Sequence, residues 1–516
     1  MIGEVYMKHV FARCLVALIF LAMPLGTLTE GYVWVIPPQF DDAWDFREGL
    51  AAVMIDDKWG FIDGTGQMVV PLQYDEVNDF HDGMAVVIVG DKNQVIKAAF
   101  AKGGVIDTRT WVYVWEYGFI DKTGKEVISP QYAGAADFSD GLARIRVHDG
   151  ETKKWGFIDK TGKEVVSPKY DWVEEFNDGL AMVFIGEGRW GDVDIVDGGK
   201  WGFIDKTGME IVPIEYAKVG KFREGRASII KDNKLGFIDE TGAVVIPLTY
   251  EIDWPPLMAS YREVMPYFSE GLAAIWNGNM ESGPYGYIDR NGKAVIPFEY
   301  SYAAPFSEGL AYVSEGSDFE VHADVLEGKF GFIDKTGEVV VPLVYDCDYE
   351  EHGILLEEYF VGGFACVGKG IAYEAMQYGM IDRTGTVAVP IEYDWIWQHG
   401  FHWNFDDGLA LVGFGNDSWG SQTWESCGLV DKSGKEVVAI GRYDEIAQFS
   451  EGYARVWHGA IRGQFNEPTY GTGTYGFINT AGKEVVPCIF EDARSFSEGL
   501  AAVKVDGKWG YIAITE

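Results

Sequence analysis

The sequence predicts an all-β protein: a tandem array of about eleven three- to four-stranded antiparallel β-meander repeats. Three observations predict it. A unit opening on Phe-x-acid-Gly-Leu-Ala recurs along the chain, each copy is followed by a Trp-Gly-Phe-Ile-Asp segment, and each closes on Thr-Gly, Val-Val-Pro and a Tyr. Self-similarity at a period of roughly 20 to 50 residues marks a repeat architecture. The 65 glycines and 15% aromatics agree with many tight turns between short apolar strands.

Residues 1–30 read differently from the rest. Lys8, His9 and Arg13 precede an apolar run from Cys14 to Leu25, the pattern of a secretory signal peptide, with cleavage expected near residues 29–31. The run is shorter than the roughly 20 residues of a membrane span, although an uncleaved signal anchor is the alternative. The expected organisation is therefore a signal peptide over 1–30 and a repeat array over 31–516. The expected localisation is secreted or cell-surface associated, without a stable membrane span once the signal is cleaved.

The opening motif stands at Phe46, Phe80, Phe138, Phe176, Phe222, Phe268, Phe306, Phe360, Phe405, Phe449 and Phe496, with Gly362 in place of the acid in the eighth copy. Gly-Leu-Ala-x-Val, as in Gly499 to Val503, reads as a first strand and Trp-Gly-Phe-Ile-Asp as a second. Between them and the third strand lies Asp-x-Thr-Gly, in which Asp accepts a backbone hydrogen bond and Gly takes positive φ. Val-Val-Pro is the third strand, with Pro where no ladder donor is needed. A fourth, shorter strand is expected around Tyr170 to Phe176. Residues 31–46 form the back half of a unit and residues 496–516 the front half. Complementary halves favour closure into a propeller-like toroid over an open superhelical β-solenoid.

These residues resemble the bacterial WG-repeat family, named for the dipeptide in Lys58-Trp59-Gly60, Lys154-Trp155-Gly156, Lys200-Trp201-Gly202 and Lys508-Trp509-Gly510. The resemblance covers residues 33–512. It implies a β-rich repeat of the kind found in exported or surface-associated bacterial proteins, mostly without an assigned activity.

The Trp position is held elsewhere by Tyr117, Leu235, Tyr285, Phe330, Tyr378, Cys427 and Tyr475. Apolar volume is kept and aromaticity is not, so these side chains are expected in the core and not against a sugar. The repeated Asp becomes Asn479 once, which suits a turn acceptor and not a catalytic acid.

A net charge of -38 argues against a nucleic-acid partner. Cys347, Cys366, Cys427 and Cys488 are widely spaced and read as buried free thiols. Gly471 to Gly476 fits G-x-G-x-x-G but precedes a strand, so no dinucleotide site and no cofactor is expected. His399 and His402 lack a third ligand for a metal. Asp192, Asp194 and Asp197 form an acidic loop whose register departs from a calcium loop, so no metal site is expected there. Insertions carrying Trp395, Trp397, Phe401 and Trp403, then Trp419 and Trp424, are the candidate ligand-binding aromatics, because insertions in repeat folds gather on one face. The expected function is a non-enzymatic binding or scaffold protein for a protein or a cell-envelope polysaccharide. An envelope-glycan hydrolase using paired carboxylates is the alternative.

Overall fold

A computed structural model describes residues 31–90, 115–149, 152–186, 199–253, 265–279, 284–316, 328–346, 359–370, 376–397, 407–416, 422–459 and 473–515. They form eleven small sheets arranged as an eleven-bladed β-propeller, with no helix among the described residues. Blade 1 consists of Asp42–Ala43, Leu50–Ile55, Lys58–Asp63 and Met68–Tyr74, hydrogen-bonded in that order. Blades 2 to 10 span 76–132, 134–170, 172–216, 218–253, 268–300, 302–346, 364–393, 395–443 and 445–490.

The turn into the second strand is a two-residue hairpin. Arg47 and Leu50 exchange both backbone hydrogen bonds, at 2.8 and 3.1 Å, around Glu48 (φ 52) and Gly49 (φ 86). Positive φ at both central residues is the type I′ geometry that matches strand twist. The second strand then runs in register with the third from Leu50↔Asp63 to Ile55↔Lys58. Its run Leu-Ala-Ala-Val is buried on both faces because each blade lies between two others. At the far end of the third strand Asp63 Oδ1 accepts from the amides of Thr65 and Gln67 and from the Thr65 hydroxyl. Asn479 makes the same backbone bonds, to Ala481 and Lys483, so the turn needs an oxygen acceptor and not a charge.

The third and fourth strands pair with register shifts on either side of Phe61. Around the shift the backbones approach so closely that a Cβ on Gly60 would meet Val70 O and Pro71. This explains the Gly of the Trp-Gly dipeptide. Pro71 stands within the fourth strand, the free edge of the sheet, where its missing N–H blocks further strand addition.

One expectation is corrected. The short strand after the Tyr does form, as Trp172–Val173, but it pairs with Phe184 and Val183 and so belongs to the following sheet. A single residue, Asp171, separates it from the strand Glu164–Tyr170 of the preceding sheet. Except from Asp253 to Phe268 and from Asp346 to Phe364, the chain hands over from blade to blade almost without a loop, and the meander of one sequence unit is shared between two blades.

Blade 11 is Asp492–Ala493, Ala501–Val505 and Lys508–Ile514, completed by Tyr32–Phe40 from the other end of the chain. Tyr32 pairs with Ile514 and Phe40 with Trp509. The two terminal halves expected from the sequence thus close the ring. Between blades, the third-strand Phe packs edge-on against the motif Phe of the next blade, as in Phe61–Phe80 (4.8 Å) and Phe157–Phe176 (4.7 Å). Tyr511–Phe46 at 5.0 Å is the same contact across the closure.

Candidate binding surfaces

The recurring polar residues are consumed by architecture. In blades 1, 2, 5, 6, 7, 10 and 11 the acid of the Phe-x-acid-Gly turn reaches forward to the next blade: Glu48 Oε2 accepts from Gly83 N and Glu224 Oε2 from Gly271 N, both at 3.0 Å. A cation from that next blade completes the clasp, Lys122 at 2.9 Å from Glu48 and Arg290 at 2.6 Å from Glu224. Glu498 accepting from Gly49 N at 2.9 Å closes the series around the ring. At the opposite end of the sheets the Lys before Trp-Gly pairs with the handover Asp, as Lys58–Asp75 (2.7 Å), Lys154–Asp171 (2.6 Å) and, across the closure, Lys508–Asp41. The partner of this Lys could not be read locally, since it lies 17 residues on from Lys58, Lys154 and Lys329 and 467 away from Lys508.

The repeated Trp side chains are core. Trp59, Trp155 and Trp509 are buried, as are Leu235, Phe330 and Cys427 at the same position, and Trp201 is half-buried against the core of its blade. Burial pushes the Cys427 thiol up to about 12, and Cys488 to about 11.

Among the aromatic candidates, Trp395 is only 1% exposed, on a short strand paired with Gly413. It packs with Leu411 and Cys427, so it is a core residue and not a ligand platform. Trp397 pairs with Leu411 in the same strand, and Trp424 lies in the strand Gln422–Asp431. Phe401, Trp403 and Trp419 lie outside the described residues, as do His399, His402, Cys347, Asp192, Asp194, Asp197 and residues 1–30. The two insertions do not share an origin. One leaves Trp397 toward the end of the sheet where Leu409 pairs with Asp431, and the other joins Asn416 to Gln422 at the opposite end.

The sequence reading passed over the residue just before the motif Phe. Down the ring this position holds Asp45, Asp79, Asp137 and Glu175 in blades 1 to 4, then Lys221, Tyr267, Pro305 and Tyr359. Arg47 Nε bonds Asp79 at 3.0 Å, Asn78 donates to Asp137 at 2.9 Å, and Arg144 to Glu175 at 3.2 Å. Asp45 Oδ1 is buried without a hydrogen-bond partner among the described residues. Burial raises the pKa of both Asp45 and Asp79, and the neighbouring carboxylates Asp79 and Asp137, respectively, add to it; nearby arginines oppose the rise. On the other side of the ring Tyr359 stacks on Tyr312 at 4.5 Å, and Tyr312 meets Tyr302 edge-on at 5.8 Å. Reading each column of the repeat, and not only its constant letters, would have found both sectors.

No group of three or more His, Cys, Asp or Glu side chains placed to hold a metal occurs among the described residues. No helix long and apolar enough to cross a membrane occurs among the described residues, which says nothing of a β-barrel.

The profile of the WG containing repeat matches residues 33–59, 59–92, 117–150, 155–190, 201–234, 285–317, 330–346, 378–416, 428–456 and 475–509. The chain belongs to the WG-repeat family. Each full match runs from the Trp-Gly strand of one blade into the second strand of the next, so the WG unit is out of phase with the blade, as the shared meander requires. No curated protein matches the chain. Among solved structures, apo AztD from Citrobacter koseri is similar at 12% identity over 74% of this chain and 96% of its own, with a TM-score of 0.27. The tricorn protease is similar at 12% identity over 93% of this chain, with a TM-score of 0.20; the chain spans 62% of its length. The acylaminoacyl peptidase of Pyrococcus horikoshii is similar at 12% identity over 59% of this chain and 50% of its own, with a TM-score of 0.23.

Proposed function

We propose that this WG-repeat protein is an exported, non-enzymatic binding or scaffold protein for a protein or a cell-envelope polysaccharide. One observation carries the reading. The hairpins between second and third strands are two-residue turns at Asp56-Asp57, Asp232-Asn233 and Asp506-Gly507, but much longer between Gly90 and Trp115, Gly186 and Gly199, Glu315 and Lys329, and His458 and Thr474. All of them leave the sheets from the same end. A rigid ring presenting loops of unequal length on one face is the arrangement by which repeat proteins bind partners. Of the aromatic candidates, Trp419 in the connection between second and third strands of blade 9 and Trp424 at the start of that third strand are kept as recognition residues in this proposal; Trp397 and Trp403 belong to the connection at the opposite end of that sheet, and Trp395 is core.

The test is co-sedimentation with isolated cell-envelope polysaccharide. Trp419→Ala with Trp424→Ala should weaken binding with thermal stability nearly unchanged, whereas Trp395→Ala should cost about 3–5 kcal/mol of stability. Binding that survives the double replacement places recognition elsewhere.

A second reading, an envelope-glycan hydrolase, is favoured by the raised pKa of Asp45 and Asp79 on adjacent blades. Release of reducing ends, lost in both Asp45→Asn and Asp79→Asn, would establish it; no release by the wild type removes it.

A further inference from the structure

The outer rim of the ring changes character over one sector. The strand that follows each Asp-x-x-Gly turn opens on an exposed Glu in blades 2 to 4 (Glu126, Glu164, Glu210) and again in blades 9 and 10 (Glu436, Glu484). In blades 5 to 8 it opens on Val244, Ala294, Val339 and Val387, also exposed. Of the twelve large hydrophobic side chains exposed among the described residues, six lie on these four strands: Val244, Val295, Val339, Val340, Val344 and Val387, at 36–49%. Three of the six belong to the single strand Val339–Asp346, which carries no charge between Glu338 and Asp346.

These strands adjoin. The turn glycine of each blade lies on the middle of the preceding outer strand: a Cβ on Gly292 would stand 2.9 Å from Ile246, one on Gly337 3.5 Å from Ile296 and one on Gly385 3.4 Å from Val341. Tyr250 also donates to Gly292 O at 2.9 Å. Each outer strand starts two residues after its glycine, so the exposed valines form one band and not four separate spots. An edge of this composition invites association through its backbone and through its side chains, and natural sequences guard it with proline and with charge. Pro247, Pro297, Pro342 and Pro390 keep the guard against strand addition along the whole sector. The guard against side-chain contact, the Glu of the other blades, is the one that is missing, and an exposed apolar patch of this kind marks an interaction site.

The charges around the band choose its occupant. On these strands up to the closing Tyr, and at the residue before each, the charged side chains are Glu299, Glu338 and Glu392 against Lys293. Strands led by Glu210 and Glu436 flank the band on either side, and the protein as a whole carries a net charge of -38. A second copy would present the same patch across a two-fold axis and set these carboxylates against one another. An anionic lipid surface would repel them as well. We propose that the outer rim of blades 5 to 8 docks a partner protein that presents an apolar segment flanked by lysine or arginine. The valines bury the apolar segment, and the glutamates meet its basic flanks and speed the encounter. The rim is not the loop face, so this inference stands whether or not recognition through the loops holds.

The test titrates the full chain into a labelled synthetic helix with leucine on one face and lysine on the other, followed by fluorescence anisotropy. Saturable binding is expected, at least about tenfold weaker for companion peptides with serine for leucine or glutamate for lysine. Val339→Ser with Val344→Ser should weaken binding at least about tenfold with little change in melting temperature, because both side chains are exposed. Glu299→Gln with Glu338→Gln should weaken it severalfold and flatten its dependence on salt. Glu126→Gln with Glu164→Gln, on the charged rim of blades 2 and 3, should leave it unchanged. In the wild type, hydrogen exchange should show protection gained over residues 339–346 and 387–393 when the peptide is added, a readout that needs no variant. Wild-type binding that is absent or no tighter than that of the serine peptide, indifference to the valine and glutamate changes, or protection gained only elsewhere overturns the proposal. So does a dimer in sedimentation, or pelleting with phosphatidylglycerol vesicles, that the valine variant abolishes, since either assigns the band to a second copy or to a lipid surface.

Discussion

A methyl group added at Gly510 would stand 2.6 Å from both Ile36 O and Pro38 N, backbone atoms that cannot move aside without breaking the closing strand pair. Gly510→Ala should therefore cost about 1–3 kcal/mol, the range of an overpacked core, in urea unfolding. Gly49→Ala meets nothing within 4 Å and is opposed only by its φ of +86, so it should cost about 1 kcal/mol. The carboxylates carry a second prediction, in pH. The Thr123 hydroxyl, against a smaller desolvation penalty and with the amides of Thr123 and Lys125, holds Asp121 below the usual carboxylate value; the same arrangement recurs at Asp159 and Asp334. A folded pKa below the unfolded one stabilises above the unfolded value and is lost as pH falls through the folded value. Asp45 and Asp79 have the opposite sign, since their raised values penalise folding at neutral pH and the penalty disappears once they are protonated. Asp45→Asn should then raise the melting temperature at pH 7 and give no gain at a pH well below the ordinary aspartate value of 3.8, in scans across that window.

At the scale of the element, the strand Tyr32–Phe40 is the fourth strand of a blade whose other three strands come from the opposite end of the chain. Deleting residues 31–45 should remove hydrogen-exchange protection from Lys508 through Ile512, with blades on the far side of the ring retaining theirs. Unchanged protection there would contradict the pairing. The turns and strand periods were legible because each is written within a few residues: Asp63 bonds amides two and four positions on, and Leu50–Ile55 is followed directly by its partner Lys58–Asp63. The handover strand was not. Trp172–Val173 carries no local mark of which sheet it joins, because its partners Phe184 and Val183 compete with the equally close preceding strand, and only the packing of two blades decides between them.

For the whole molecule, Thr515 N donates to Gly31 O at 3.0 Å, so the two ends of the array lie side by side. A circular permutant that joins residue 515 to residue 31 and opens the chain between His458 and Thr474 should fold to the same ring, because the interface between blades 11 and 1 uses the acid–amide clasp and aromatic contact that also join blade 1 to blade 2. Its far-ultraviolet circular dichroism should overlay that of the unpermuted chain and be free of a helical signature. A helical or unfolded spectrum would show that the closing interface differs from the other ten.

By itself the sequence determined the number of units, their phase and their turns, because strand alternation, an Asp acceptor and a Gly at positive φ act over a few residues. It also determined that the Trp-Gly tryptophans are core, since a position that accepts Leu235 and Cys427 asks only for volume. Tertiary structure alone decided that Ser497 reaches Phe46 O across 451 residues and that Trp395 is enclosed. It also set Arg223 against the ring of Tyr267 and brought Asp79 within the electrostatic reach of Asp45. Each of these depends on how one blade packs against the next, and the closure at Ser497 on the rotation between blades summed around all eleven. That angle is fixed by the packing of whole sheets and not by any short stretch of chain.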